Sequence, residues 1–143
     1  MTDPRPSFDD YFLGIAQAIS RRADCTRSRV GAVMVRPTVG GPVIVGTGYN
    51  GAPSGVPGCL SAGACPRGRL TAEECPPNSD YGNCIADHAE RNAVRFTHVE
   101  DRQGATLYVT REPCPSCRTL ITAVGGIVRV VWPGGEWIPP ANP

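Results

Sequence analysis

Apolar residues recur at helical spacing near the start of the chain, at Phe8, Tyr11, Phe12, Ile15 and Ile19. Ser7, followed three residues later by Asp10, has the form of a capping box, so the pattern predicts an amphipathic helix over 8–22. The period then shortens. Val30-Gly31-Ala32-Val33-Met34-Val35 and Val43-Ile44-Val45-Gly46-Thr47-Gly48 are β-rich runs on either side of the turn formers at 37–42, which predicts a hairpin. From 50 to 83 apolar periodicity is lost among glycines, prolines and cysteines; a loop this long inside a compact domain is usually functional or disordered, and its cysteines favour something that ties it down. Beyond it, 88–98 reads as helix, 105–110 as strand, 115–124 as helix and 127–132 as strand. The order αββαβαβ is that of a layered α/β domain. Residues 133–143 are too rich in proline and glycine for another regular element, so the sheet is expected to end with the strand at 127–132.

A length of 143 residues makes a single domain over 1–143 the default. Charged residues are 19% and the formal net charge is +1, which argues against a broad basic footprint for nucleic acid or an anionic membrane and favours a small-molecule partner. The start lacks the basic and apolar pattern of a targeting segment, and no run is long enough to span a bilayer, so a soluble, cytoplasmic protein is expected. Seven cysteines, an odd count with Cys-x-x-Cys spacing, point to reduced thiols and metal in place of a disulfide framework.

Two segments carry chemistry. Asp87-His88-Ala89-Glu90 opens one predicted helix and Pro113-Cys114-Pro115-Ser116-Cys117 another, with Pro115 suited to a first helical position. At a helix N-terminus the dipole and free N–H groups lower a thiol pKa, and zinc binds thiolate. His88, Cys114 and Cys117 make a three-ligand set that leaves a fourth tetrahedral position for water, as in catalytic zinc sites. Glu90, two residues after His88, is the candidate general acid and base. Taken singly, a Cys-x-x-Cys is often structural or redox-active, and a His-Ala-Glu triplet occurs by chance. Jointly, His-x-Glu followed by Pro-Cys-x-x-Cys has the form of the zinc deaminase signature. His98 lies about 280° around a helix from His88 and is read as a surface residue. Trp132 and Trp137 are read as packing residues.

Further matches lie at Asp10-Tyr11-Phe12, Cys25-Thr26-Arg27, Val30-Gly31-Ala32-Val33, Gly48-Tyr49-Asn50-Gly51, His88-Ala89-Glu90-Arg91-Asn92-Ala93 and Leu107-Tyr108-Val109-Thr110. Through these and the cysteine motif, residues 8–132 resemble the deoxycytidylate (dCMP) deaminases of the cytidine deaminase superfamily. The resemblance implies a cytidine-deaminase-like layered α/β/α domain with a mixed sheet. It also implies zinc-dependent hydrolysis of dCMP to dUMP and ammonia, in a homo-oligomer open to control by a nucleoside triphosphate. By the same resemblance Asn50 contacts the sugar or base and Arg27 is the candidate for the 5′-phosphate. Some relatives hold a second zinc with cysteines matching Cys25 and Cys59; Cys65 and Cys84 are the favoured further ligands, with Cys75 the spare and ordinary free cysteines the alternative. The family continues past the strand at 127–132 with a further helix and strand, so those C-terminal elements are expected to be truncated, leaving a sheet edge near Arg129 in need of cover. CMP, a nucleoside or a modified cytosine stay open as substrates, and a structural or interaction zinc module is the non-enzymatic alternative.

Overall fold

The structure is a computed structural model that describes residues 2–24, 28–51 and 88–141. Helix α1, Phe8–Ser20, starts where expected: the Ser7 hydroxyl accepts a hydrogen bond from the Asp10 backbone N–H at 3.1 Å. It stops before 22 because Arg21 and Arg22 bond back to Ala18 and Ile19, tightening the last turn to i→i−3 spacing. Strands β1, Gly31–Thr38, and β2, Gly41–Tyr49, form the predicted hairpin, but with a shorter turn than 37–42. Pro37 and Pro42 lie within the strands, opposite one another. The pair next to the closing Thr38–Gly41 pair needs no backbone hydrogen bond, so two prolines fit there.

Helix α2, Ala89–Arg95, is shorter than the predicted 88–98. The chain instead breaks at Phe96 and forms a one-turn helix α3, Val99–Arg102, with His98 at its N-cap. Strand β3, Ala105–Val109, helix α4, Pro115–Val124, and strand β4, Ile127–Trp132, agree with the sequence reading to within a residue. The sheet does not end with β4. Gly135–Trp137 forms β5, antiparallel to β4, so the reading of 133–143 as wholly irregular and of the Arg129 edge as uncovered is corrected. Pro133-Gly134 is the two-residue turn, with Gly134 at φ 89°, a position that a side chain would strain. Three residues are too few to show a period.

The sheet order is β2-β1-β3-β4-β5, with β3 and β4 parallel and the other pairs antiparallel. This is the mixed sheet of the expected α/β/α domain. On one face α1 buries Phe12 and Ala16 against Val33, Val35, Tyr108 and Val131. On the other, Ala89 and Ala93 of α2 and Ile121 of α4 pack on Met34, Leu107 and Val130. Arg129 makes a two-pronged ion pair with Asp9 of α1, at 2.9 and 2.7 Å, and a third bond to Glu136 of β5. Tyr108 donates to the same Asp9 carboxylate at 2.7 Å, so one cluster ties α1 to β3, β4 and β5. The Arg129 guanidinium holds the Asp9 carboxyl below its usual value.

Both helix contacts with the hairpin need glycine. A Cβ on Gly31 would lie 2.6 Å from the Ser20 nitrogen of α1, and one on Gly48 would lie 2.9 Å from the Asn92 carbonyl carbon of α2. The Asn92 amide also donates to the Tyr49 carbonyl at 2.9 Å, fixing α2 against the end of β2. Gly14, by contrast, sits on the exposed side of α1, where an added methyl group would meet no other atom within 4 Å. Gly48→Ala is therefore expected to destabilise the fold by about 1–3 kcal/mol through overpacking, while Gly14→Ala stabilises it by about 0.5–1 kcal/mol through helix propensity. Urea unfolding of the two variants checks the opposite signs.

Candidate metal centre

The N-termini of α2 and α4 meet on one face of the sheet. His88 is the N-cap of α2 and Cys114 the N-cap of α4, both with extended backbone, and neither side chain caps its own helix. Each turns instead toward the other helix. The His88 Nδ1 atom lies 3.0 Å from Cys117 Sγ and 3.4 Å from Cys114 Sγ. One donor atom from each of the three residues falls within 4.8 Å of the others. A tetrahedral zinc with ordinary Zn–N and Zn–S bonds needs donors roughly 3.3–3.8 Å apart. The borderline-soft imidazole and thiol set fits zinc better than a hard cation that prefers oxygen.

Burial sharpens the chemistry. Cys117 is 1% exposed, Cys114 8% and Glu90 4%. The hydrogen bond from the Cys117 thiol, with help from His88 and Ser116, draws the Cys114 pKa far below the ordinary thiol value despite burial. Cys117, whose proton serves that bond, is pushed up by the same contact and then by burial. The pair thus gives up one proton readily and holds the second, which a divalent cation would displace on binding. The Glu90 carboxyl is pushed up, first of all by burial, against the opposing effects of a backbone hydrogen bond and His88. A carboxyl raised toward the working pH can both accept and return a proton.

The loop that delivers Cys114 is fixed to the start of β1 by a reciprocal pair of bonds: Thr110 N–H donates to Gly31 O at 3.0 Å, and Gly31 N–H donates to the Thr110 hydroxyl at 3.1 Å. Arg111 follows and donates to the Ser28 hydroxyl at 2.7 Å. Thr110 closes the matched Leu107–Thr110 segment, whereas Arg111 is not singled out by the sequence pattern, although its place just ahead of Pro113-Cys114 is a signal. Ser116, within the cysteine motif, places its hydroxyl 3.2 Å from Cys114 Sγ.

Asn50, 8% exposed, is bound to the backbone of the neighbouring segment. Its side-chain oxygen accepts from Val30 N–H at 2.8 Å and its amide donates to Ser28 O at 2.7 Å. Each group keeps one further hydrogen-bonding position, through which any contact with substrate would have to be made. His98 is exposed and not part of the His88, Cys114 and Cys117 group, as expected. Arg27, Cys25, Cys59, Cys65, Cys75 and Cys84 lie outside the described residues.

Fold and donor set together define an α/β/α domain of the class that carries a three-ligand metal site at paired helix N-termini. The family model described as "Cytidine and deoxycytidylate deaminase zinc-binding region" matches residues 6–133. Deoxycytidylate deaminase of Mycobacterium phage D29 is 53% identical over 133 residues, covering 90% of this chain and 96% of that protein. Deoxycytidylate deaminase of Schizosaccharomyces pombe is 39% identical over 130 residues, covering 90% of this chain but only 37% of its own length. Among solved structures, dCMP deaminase from the cyanophage S-TIM5 in complex with dCMP and dUMP superposes with a TM-score of 0.62 at 25% identity, covering 91% of this chain and 83% of that one. The chain belongs to the cytidine and deoxycytidylate deaminase family, and the metal its site is built for is zinc. No helix among the described residues is long and apolar enough to cross a membrane.

Proposed function

We propose that the chain is a single-domain enzyme that converts dCMP and water to dUMP and ammonia, with His88, Cys114 and Cys117 holding a zinc ion and Glu90 moving the protons. The observation that carries this reading is the convergence of one imidazole and two thiols beside a buried carboxyl at two helix starts. The deoxycytidylate deaminase of phage D29 and the cyanophage structure with dCMP and dUMP support the choice of substrate. Zinc in a three-ligand site supplies Lewis acidity, bringing the pKa of water towards about 7. Glu90 takes a proton from the attacking water and delivers it to the departing amino group, so that C4 exchanges its C–N bond for a C–O bond. Burial keeps bulk water away from that carboxyl and raises its affinity for the proton it relays.

Arg27 binds the 5′-phosphate in this reading, since a guanidinium can grip it with two bonds. Asn50 reaches the sugar or base while holding the Ser28–Val30 backbone in place. Cys25, Cys59, Cys65 and Cys84 hold a second, closed zinc. The cytoplasm suits thiolate ligands, and assembly as a homo-oligomer under nucleoside triphosphate control is carried over from the resemblance.

Glu90→Gln is expected to retain the catalytic zinc while turnover falls by at least about 100-fold, because the amide cannot relay protons. Ammonia release paired with elemental analysis reads both, and near-normal turnover with full zinc contradicts the role. The same analysis is expected to find two zinc ions per chain, falling to one in a Cys25→Ser, Cys59→Ser double variant. Arg27→Ala should raise KM for dCMP by about 10- to 150-fold, the worth of a charge-assisted hydrogen bond, and leave KM for deoxycytidine little changed. Equal impairment with both substrates would instead make Arg27 a support of the fold.

A further inference from the structure

The β4–β5 hairpin contributes no residue to the centre described above, yet its side chains meet Arg118 and Ile121 of α4. Its register sets Trp132 opposite Gly135 and Val130 opposite Trp137, so the two indoles are diagonal neighbours on one face of the sheet. A Cβ on Gly135 would lie 2.8 Å from the Trp132 ring, so the indole lies across the glycine. Both rings pack on the cluster that contains Ile121 and Val130. Over them sits the Arg118 guanidinium, its central carbon 5.7 Å from the Trp132 ring centroid and 5.1 Å from that of Trp137. Those separations lie within the about 6 Å range of cation–π attraction.

The same guanidinium reaches back along the chain. Its Nε–H donates to the Pro113 carbonyl at 3.3 Å, and a terminal nitrogen donates to Glu112 Oε1 at 3.1 Å. The Pro113 carbonyl belongs to the peptide that leads into Cys114. Glu112 is half exposed, so its ion pair contributes little by itself; the two indoles and the Pro113 bond are what fix the group. Arginine suits the position because its planar fork can lie on aromatic faces and still direct N–H groups sideways, which an ammonium cannot do.

We propose that Arg118, seated on Trp132 and Trp137, is a positioning residue that fixes the Pro113–Cys114 peptide and so holds Cys114 ready for the metal. The proposal rests on the reading of Cys114 and Cys117 as zinc ligands. Groups that orient a ligand before binding strengthen metal affinity, because less freedom is lost when the bond forms.

Chelator competition on the full zinc-loaded chain tests this, following the zinc that Cys114→Ser removes. Arg118→Ala, Arg118→Lys and Trp137→Ala are expected to weaken that zinc by about 10- to 100-fold, while Trp137→Phe, which keeps an aromatic face, stays close to wild type. Val131→Ala, on the opposite face of the same strand, serves as the control for lost stability: its unfolding midpoint falls and its zinc affinity holds. Should Trp137→Ala fail to fold, Arg118→Lys decides. Unchanged affinity in both Arg118 variants overturns the proposal, and so does a loss in Val131→Ala as large as theirs. A wild-type chain that binds no such zinc removes the ligand assignment itself, an outcome distinct from either.

Discussion

Everything in the site depends on two helices beginning at the same place. The starts of α2 and α4 each present about half a positive charge from the peptide dipoles, and between them lie two thiols and an imidazole in mutual contact. The positive ends favour thiolate, and two thiolates balance the charge of a divalent cation. Neither helix could supply this alone. Cys114 and Cys117 occupy the cap and first turn of α4, and the imidazole comes from a residue 26 positions before Cys114.

The hairpin makes that meeting possible. Gly48 lets α2 settle onto β2 and Gly31 lets α1 settle onto β1 from the other side, so helix backbone lies directly against strand backbone at both places. Because α2 sits so close, Glu90 on its first turn is removed from water, and its raised pKa follows from that burial. Backbone approach, burial and proton affinity thus form one causal sequence. Asn50 and Thr110 extend it: they fasten the Ser28–Gly31 segment to the ends of β2 and β3, beside the loop that carries the cysteines.

The metal residues can be read from the sequence because their geometry is local. His88-Ala89-Glu90 and Cys114-Pro115-Ser116-Cys117 each fit within a turn of helix, and Pro115 marks where the second helix begins. The major strands and helices are legible for a similar reason, since each is long enough to show its period. What escapes a sequence reading is short or distant. β5 spans three residues and α3 four, too few for a pattern. The hydrogen bonds of Asn50 depend on partners 20 and 22 residues away, and the contact of Arg118 with Trp132 and Trp137 depends on a hairpin whose sequence has the character of an irregular tail. Pro37 and Pro42 look like parts of the turn itself, because a proline's tolerance within a hairpin depends on which partner it faces.

Whether this pair of helix starts builds an open zinc site, with a carboxyl held beside the metal and not on it, can be seen by diffraction. Crystals of the zinc-loaded chain would be measured on both sides of the zinc absorption edge. An anomalous peak bonded to His88 Nδ1, Cys114 Sγ and Cys117 Sγ is expected, with no further protein ligand and with the Glu90 carboxyl off the metal. A peak whose fourth ligand is Glu90 or another cysteine, or no peak between the two helices, would contradict it.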